Sequence, residues 1–169
     1  MRAGEAGFDI PSPAGPVPGC AFCEIVSGER EAFVVLEDEL TLAFLDARPL
    51  FPGHSLLVPR AHRETLLDLP DSELPELFGN ARLLAQAMEE GLGAEGSFVA
   101  INNRVSQSVP HLHVHVVPRR RKDGLRGFFW PRTKYAGDDH AKETQAALRK
   151  AIALIRDREA GAAEGAANT

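Results

Sequence analysis

The sequence predicts an α+β domain built on a five-stranded antiparallel sheet, with one main helix and a second helix near the C-terminus. Five short runs rich in apolar and β-branched residues lie between turn-forming residues, which is typical of strands. Short loops join the early runs, and short loops favour antiparallel neighbours. One longer segment repeats its apolar residues at helical spacing. The predicted order is a series of strands with one helix inserted and another appended.

The first third of the chain predicts a short helix and three strands. The segment CAFCEIVSG at residues 20–28 predicts a helix that ends at Gly28. The runs FVVLED at 33–38 and LTLAFLD at 40–46 predict two strands that form a hairpin. A loop rich in proline follows, and HSLLVP at 54–59 predicts the third strand.

The main helix is predicted from about Asp71 or Ser72, either of which can cap its start, to Gly91, which can end it. Its apolar face is predicted to consist of Leu77, Phe78, Ala81, Leu84, Ala85 and Met88. Residues 97–102 and 112–117 predict the fourth and fifth strands.

The fifth strand contains three of the six histidines of the chain. Alternate side chains of a strand share a face, so His111, His113 and His115 should form a row with neighbours roughly 6.5–7 Å apart. The apolar residues between them should face a core, and Pro118 should end the run. Such a row favours a metal site or a set of catalytic imidazoles. The alternative is a solvated strand face, but such a face needs only common polar residues such as Thr, Lys or Glu, and His is uncommon.

Length and composition predict a soluble globular protein with one main domain. The 169 residues are 44% hydrophobic and 25% charged, with a net charge of −5 that argues against nucleic-acid binding. No apolar run approaches the roughly 20 residues of a membrane span. The N-terminal residues lack the apolar centre of a signal peptide, so we expect a cytoplasmic protein without membrane association.

The chain is expected to divide into a flexible tail (1–19), a domain (20–120), an extension (121–158) and a second flexible tail (159–169). The extension is expected to end in a C-terminal helix at about 139–158. The extension is basic and aromatic. Between Pro118 and Lys134 the chain contains seven basic residues against one acid, Asp123. The basic residues are Arg119, Arg120, Arg121, Lys122, Arg126, Arg132 and Lys134. This positive charge suits a phosphorylated ligand, or it belongs to a solvated loop.

Cys20 and Cys23 form a C-x-x-C pair. In a reducing compartment two cysteines are thiols or metal ligands rather than a disulfide. The preceding segment, rich in proline and glycine, does not match a thioredoxin-like redox motif, which needs a strand there. A structural zinc site would need two histidines as well, and His62 and His111 could reach the predicted helix. Two buried thiols are the alternative.

Together these motifs resemble the histidine triad (HIT) family. Residues 111–117 match its H-x-H-x-H-x-x pattern, and Gln107 and Ser108 match its Gln-Ser or Gln-Thr pair. The segments CAFCEIVSGE, EDELTLAFLDARPLFPGHSLLVPRAH and INN resemble its other conserved blocks in the same order, so the resemblance covers about residues 20–120. It implies a homodimer that binds purine nucleotides, and hydrolysis or transfer of nucleoside monophosphates through a nucleotidyl-histidine intermediate.

The resemblance also implies roles for single residues. His113 is expected to be the nucleophile, His115 to donate to a phosphate oxygen, and Ser108 to contact the phosphate or the leaving group. The catalytic set it implies is His113, His115, Ser108, His54 and Asn102, with Asn103 as the neighbouring candidate because the loop NNRVSQS is short. The nucleotide-binding set it implies is Asp46, Phe22, Ile25, Phe44, Asn102, Gln107, Ser108, His113 and His115.

Family members with this C-x-x-C bind a structural zinc, which the resemblance places on Cys20, Cys23, His62 and His111; no organic cofactor is expected. Transferases of the family typically have Gln where this chain has His115, which favours hydrolysis. Nucleoside phosphoramidates are the first substrate expectation and dinucleoside polyphosphates the second. A non-catalytic nucleotide-binding module and a catalytic metalloenzyme are the alternatives.

Overall fold

The structure, a computed structural model, describes residues 15–125, 135–140, 142–151 and 161. The chain forms two compact units, Met1–Gly124 and Leu125–Thr169. In the second unit, residues 138–140 and 142–151 are helical, which agrees with the predicted C-terminal helix over that stretch. The rest of this helix, the aromatic residues Phe128–Trp130 and most of both predicted tails lie outside the described residues. No helix within the described ranges is long and apolar enough to cross a membrane.

A five-stranded sheet forms the centre of the first unit. Its strands are β1 (Val34–Glu37), β2 (Thr41–Leu45), β3 (Ser55–Pro59), β4 (Gly96–Ile101) and β5 (Val114–Arg119). They lie in the order β1-β2-β3-β5-β4, and every neighbouring pair is antiparallel. Helix α1 spans Ala21–Val26, helix α2 spans Leu74–Leu92, and a single 3-10 turn lies at Leu66–Asp68. The predicted α+β fold with an antiparallel sheet is confirmed.

Both faces of the central strands are covered, which explains their nearly continuous apolar sequences. On one face, Leu57 of β3 and Val114 of β5 belong to the core that includes the apolar side of α2. On the other face, Phe44 of β2 and Leu56 of β3 pack with Phe22 of α1. The sheet therefore separates two cores, and α1 lies over the second one.

Helix α2 begins and ends later than its sequence predicts. Its N-cap is Glu73, which makes no side-chain capping bond, so the predicted capping by Asp71 or Ser72 is wrong. The helix continues past Gly91 because Gly93 is the residue that adopts the left-handed conformation, at φ 62°. Phe78 is 45% exposed and lies outside the buried stripe, so its predicted place on the apolar face is also wrong.

Strand β5 begins at Val114 rather than residue 112 and continues to Arg119, so the prediction that Pro118 ends the run is wrong. Pro118 pairs with Ser97 of β4, whereas β3 pairs with β5 only as far as Val116. Beyond that point one edge of β5 has no partner strand among the residues that the structure describes. A proline can occupy such an edge because its missing N–H then removes no bond between strands.

The alternation of side chains nevertheless extends ahead of β5. Leu112 is fully buried in the core beneath α2. His111 and His113 lie on the other face, with ring centroids 6.0 and 5.2 Å from Phe22. His115 follows on that face, 4.9 Å from the ring of His113. The predicted row of three imidazoles is confirmed. It is not a solvated face, since His111 is 0% and His113 3% exposed.

Gly53, in the turn before His54, should tolerate no side chain. Its φ is +101°, and an added Cβ would overlap Leu92 Cδ1 and lie 3.4 Å from Pro118 Cγ. We expect Gly53→Ala to lower the free energy of unfolding by about 2 kcal/mol, measured by urea denaturation.

Gly79→Ala is the matched control, because Gly79 lies inside α2 with open space around the added Cβ. This change should raise the free energy of unfolding by about 0.5–1 kcal/mol. Equal effects of the two substitutions would contradict the role of the Gly53 conformation.

Candidate active site

A cavity of about 1250 Å³ opens on the face of the sheet that α1 covers. Most of the site residues expected from the sequence line it, namely Phe22, Ile25, Phe44, Asp46, Ser108, His113 and His115. Aromatic and aliphatic walls surround a few polar groups, which is the usual composition of a small-molecule site. The fold thus brings together residues from α1, the end of β2 and the start of β5.

The ring of His113 has a defined proton position. Its Nδ1 lies 2.7 Å from the carbonyl oxygen of His111. A carbonyl can only accept, so Nδ1 carries the proton and the neutral ring has its free lone pair on Nε2. Phe22 packs edge-on against this ring and limits its rotation. His113 therefore lines the cavity with Nδ1 committed to the backbone, which leaves Nε2 as the ring nitrogen free to contact a ligand.

In the hydrogen bond between His54 and His115, His54 is the donor and His115 is the acceptor. The backbone N–H of Leu50 donates to Nδ1 of His54 at 3.2 Å, so the proton of His54 is on Nε2. This Nε2 lies 3.0 Å from Nδ1 of His115 and donates to it. The proton of His115 is consequently on Nε2, the nitrogen free for another partner. His115 is thus a hydrogen-bond donor beside His113.

Burial keeps this pair neutral. It is the largest cause of the lowered pKa of His115, about 4, and the neighbouring charges of His113 and His54 lower it further. Burial also lowers the pKa of His54, against the opposing effect of Asp46. At neutral pH both rings are therefore uncharged.

Asp46 follows β2 and brings a carboxylate to the same cavity. Its Oδ1 accepts from the backbone N–H of Arg48 at 2.8 Å, and its Oδ2 lies 3.6 Å from Nδ1 of His54. The turn at Arg48 thus fixes the carboxylate next to the histidine pair. It forms an acceptor at the cavity wall.

Next to the cavity, Cys20, Cys23, His62 and His111 form a compact cluster whose possible ligand atoms all lie within 4.8 Å of one another. Nδ1 of His111 lies 3.5 Å from Sγ of Cys20, and Nδ1 of His62 lies 3.3 Å from Sγ of Cys23. Zinc bonds of about 2.0–2.3 Å in a tetrahedron place ligand atoms roughly 3.3–3.8 Å apart. The separations and the donor set fit a four-coordinate zinc ion.

The orientation of His111 supports this fit. Its Nε2 donates to the carbonyl oxygen of Pro59 at 2.9 Å, which leaves the lone pair of Nδ1 facing the two cysteines. Burial lowers the pKa of His111 to about 4, so the ring is neutral, as a metal ligand must be. The cluster joins the start of α1, the loop after β3 and the segment before β5.

Two of the expected polar residues contact protein groups instead of lining the cavity. The side chain of Gln107 accepts from the N–H of Arg104 and donates to the carbonyl of Glu64, both at 2.6 Å. Asn103 accepts from the N–H of Leu66 at 2.8 Å. Asn102 is not among the described residues that line the cavity. Nucleotide contacts by Asn102 and Gln107 stay predictions.

The basic residues directly after Pro118 lie at the far end of β5. Arg119 pairs with Asp123 at 2.5 Å, and Arg121 lies 3.8 Å from a carboxylate oxygen of Glu95. Arg120 donates to the carbonyl of Leu92 at the end of α2. None of them lines the cavity. The basic residues of the stretch after Leu125, namely Arg126, Arg132 and Lys134, lie outside the described residues.

One part of the cavity was not predicted from the sequence. Arg30, Glu31, Ala32 and Phe33 line it, as does Arg48. The predicted hairpin could have indicated this part of the cavity, because β1 runs antiparallel to β2 and the N–H of Leu45 donates to the carbonyl of Phe33. The start of β1 therefore has to lie beside Asp46, which follows β2.

Comparison with known proteins agrees with this geometry. The family model of the HIT domain matches residues 27–122. An uncharacterized HIT-like protein of Methanocaldococcus jannaschii is 42% identical over 107 residues, which cover 62% of this chain and 82% of that protein. The adenylylsulfatase HINT3 of Arabidopsis thaliana is 33% identical over 63% of this chain and 55% of its own length. The asymmetrical bis(5'-nucleosyl)-tetraphosphatase of Schizosaccharomyces pombe is 38% identical over 53% of this chain and 50% of its own length.

Solved structures are similar over a larger share of the chain. A HIT family protein of Bacillus subtilis superposes with a TM-score of 0.71 at 29% identity, over 78% of this chain and 96% of the other. A zinc-bound histidine triad family protein of Mycobacterium smegmatis superposes with a TM-score of 0.61 at 36% identity, over 80% of this chain and 97% of the other.

The lowered pKa of His115 predicts a loss of stability in acid. Its folded-state pKa is about 4 against an ordinary value of 6.5, so between these values the unfolded chain binds more protons. This stability is fully present above pH 6.5 and decreases as the pH falls towards 4, by up to about 1.4 kcal/mol per pH unit. His115→Gln should reduce the slope of unfolding free energy against pH, measured by denaturation between pH 7 and 4.5.

His140→Gln is the control, because His140 is exposed and lies in the second unit. It should leave the slope as in the wild type. An unchanged slope in His115→Gln would contradict the neutral, partly buried state of this ring.

Proposed function

This chain belongs to the HIT domain family, and we propose that it hydrolyses nucleotides and releases a nucleoside monophosphate through a nucleotide covalently bound to His113. The main support is the hydrogen bond from Nδ1 of His113 to the carbonyl of His111. It leaves the lone pair of Nε2 available in a cavity large enough for a nucleotide.

In the first step, Nε2 of His113 attacks the α-phosphorus, and the bond from phosphorus to the leaving group breaks. The departing atom takes a proton, which the hydroxyl of Ser108 can pass on from solvent. The ring of His113 becomes a cation, and its Nδ1–H stays bonded to the carbonyl of His111, which stabilises that charge. The Nε2–H of His115 can donate to a non-bridging phosphate oxygen throughout.

In the second step, water attacks the phosphorus and the bond to Nε2 of His113 breaks. The imidazole leaves as a neutral ring, and the water proton is released to solvent. His115 keeps its donor role because His54 holds it in the required tautomer. The low pKa of His115 keeps it from becoming a second cation beside the charged ring of His113.

The nucleoside part of the substrate would occupy the apolar part of the cavity. The edge-on pair of Phe22 and Phe44, with centroids 5.4 Å apart, offers aromatic surface for a purine, and Ile25 extends that wall. Asp46 can accept hydrogen bonds from both ribose hydroxyls, and the N–H of Arg48 already fixes its position.

Nucleoside phosphoramidates are the proposed substrates, and the P–N bond is the one cleaved. Dinucleoside polyphosphates are the second candidate, supported by the Schizosaccharomyces pombe relative, whose name describes cleavage of a bis(5'-nucleosyl) tetraphosphate. The Arabidopsis relative is named for cleavage of adenylyl sulfate. All three reactions displace a leaving group from the phosphate of a nucleoside monophosphate, so the same histidine chemistry applies.

We also propose a structural zinc ion on Cys20, Cys23, His62 and His111, which have the donor types and separations for it. Four protein ligands leave no open position for a substrate, so the ion would stabilise the fold rather than react. His111 would then connect the metal cluster to the ring of His113 through its own carbonyl. The homodimer stays a prediction from the resemblance, and the cytoplasmic location stays a prediction from the N-terminal sequence.

His113→Ala should abolish covalent catalysis. Mixing the protein with adenosine 5'-phosphoramidate, quenching in acid and weighing the intact protein should show an added adenylate on the wild type and none on the variant. Release of AMP should fall by at least about 1,000-fold, because the nucleophile is lost while binding groups remain.

His140→Ala is the matched control and should keep both the adduct and the turnover, since His140 is exposed and lies outside the first unit. Turnover that survives in His113→Ala would reject the assigned nucleophile. Tight AMP binding by calorimetry without turnover in the wild type would identify a nucleotide-binding module instead of a hydrolase.

Zinc removal should lower stability before it affects chemistry. The purified protein should contain one zinc per chain by elemental mass spectrometry, and His62→Ala should lose it. A chelator should lower the Tm by more than about 5 °C, because the bound ion stabilises the folded state. Immediate loss of turnover at a temperature where the chelated protein stays folded, monitored by circular dichroism, would indicate a catalytic metal and contradict the structural role.

A further inference from the structure

The outer rim of the cavity contains groups that the proposed chemistry does not use. Phe33 is 79% exposed although it lines the cavity. It lies just before β1, and its carbonyl accepts from the N–H of Leu45 at 2.9 Å. Its place is therefore beside the end of β2, next to the wall formed by Phe44. An exposed phenyl ring at the mouth of an apolar cavity is a surface on which a flat ligand can stack.

Glu31 brings a negative charge to the same rim. The neighbouring Arg30 does not neutralise it, because the guanidinium of Arg30 pairs with Glu24 of α1 at 2.6 Å. Glu31 itself has no ion pair among the described residues. A free carboxylate disfavours the binding of an anionic nucleotide unless it contacts a hydrogen-bond donor of that ligand.

We infer that Phe33 and Glu31 recognise the base of the nucleotide and select guanine over adenine. This inference rests on the proposed function, since it places a purine against Phe22 and Phe44. The base lies at the end of the nucleotide farthest from the phosphate. With the phosphate at His113 and the ribose at Asp46, the base edge extends towards the segment of Arg30–Phe33.

The hydrogen-bonding pattern of the purines decides the preference. Guanine presents two donors on one edge, N1–H and the N2 amino group, and a carboxylate can accept from both. Adenine presents the N6 amino donor beside N1, which is an acceptor and repels a carboxylate. Hypoxanthine keeps N1–H but lacks the N2 amino group, so inosine monophosphate should bind with intermediate strength.

Calorimetric titration of the wild type with GMP, IMP and AMP tests this inference without relying on turnover. GMP should bind about 10-fold more tightly than AMP, with IMP between them. Glu31→Gln should reduce this ratio to about one or invert it, because an amide can donate to N1 of adenine as well as accept from N6. Phe33→Ala should weaken GMP and AMP binding alike, by about 10-fold, because stacking does not distinguish the bases.

Two neighbouring substitutions are the matched controls. Glu29→Gln removes an exposed carboxylate two residues away, and Val35→Ala shortens an exposed apolar side chain of β1; neither residue lines the cavity. Both should leave affinities and ratio unchanged. Equal affinity of the wild type for GMP and AMP, or a GMP preference that persists in Glu31→Gln, would overturn the inference.

Failure of the inference can be distinguished from failure of the proposed function. A preference for GMP that depends on Glu31 in a protein without turnover would support base recognition and reject hydrolysis. Hydrolysis of guanosine and adenosine phosphoramidates with equal kcat/KM would support hydrolysis and overturn the selection of guanine.

Discussion

The buried imidazole of His111 is the group on which the rest of the site depends. Its Nε2 donates to the carbonyl of Pro59 at the end of β3, and its Nδ1 faces the thiols of Cys20 and Cys23. Its own carbonyl accepts from Nδ1 of His113. One residue without solvent exposure thus connects the sheet, the cysteine pair and the candidate nucleophile. Because buried polar groups need partners, each of these bonds also fixes the position of its neighbour.

Burial determines the charge as well as the position of these rings. Water is largely excluded from His54 and His115, and desolvation disfavours their protonated forms. Neutral imidazoles each have one donor and one acceptor nitrogen, so the backbone donor at Leu50 is enough to set the proton positions of both rings. The Nε2–H of His115 ends this chain of uncharged groups, so the bonds behind it already hold this donor in place. A donor that need not rearrange is the condition for electrostatic stabilisation of a transition state.

The antiparallel register explains why distant residues meet. Phe33 precedes β1, Phe44 lies in β2 and Leu56 lies in β3, yet the pairing of β1, β2 and β3 places all three along one cavity wall. The same register leaves the C-terminal part of β5 paired with β4 alone, where Pro118 is tolerated. Such placements depend on which strands are neighbours, and the local sequence does not contain that information. The wrong prediction at Pro118 has this origin, whereas the ends of α2 depend on which residues adopt the capping conformations, Glu73 at the start and Gly93 at the end.

By itself, the sequence determined the α+β class, the five strands, the shared face of His111, His113 and His115, and the position of Cys20 and Cys23 at the start of one short helix. These features follow from side-chain periodicity and short-range spacing, which any short stretch of chain contains. Only the tertiary structure decided the proton positions of the histidines and the hydrogen bond from the side chain of Gln107 to the carbonyl of Glu64. It also decided the exposure of Phe33 and Glu31 at the rim of the cavity. Each depends on atoms far apart in the chain, because hydrogen bonds and desolvation act over a few ångströms of space whatever the sequence separation.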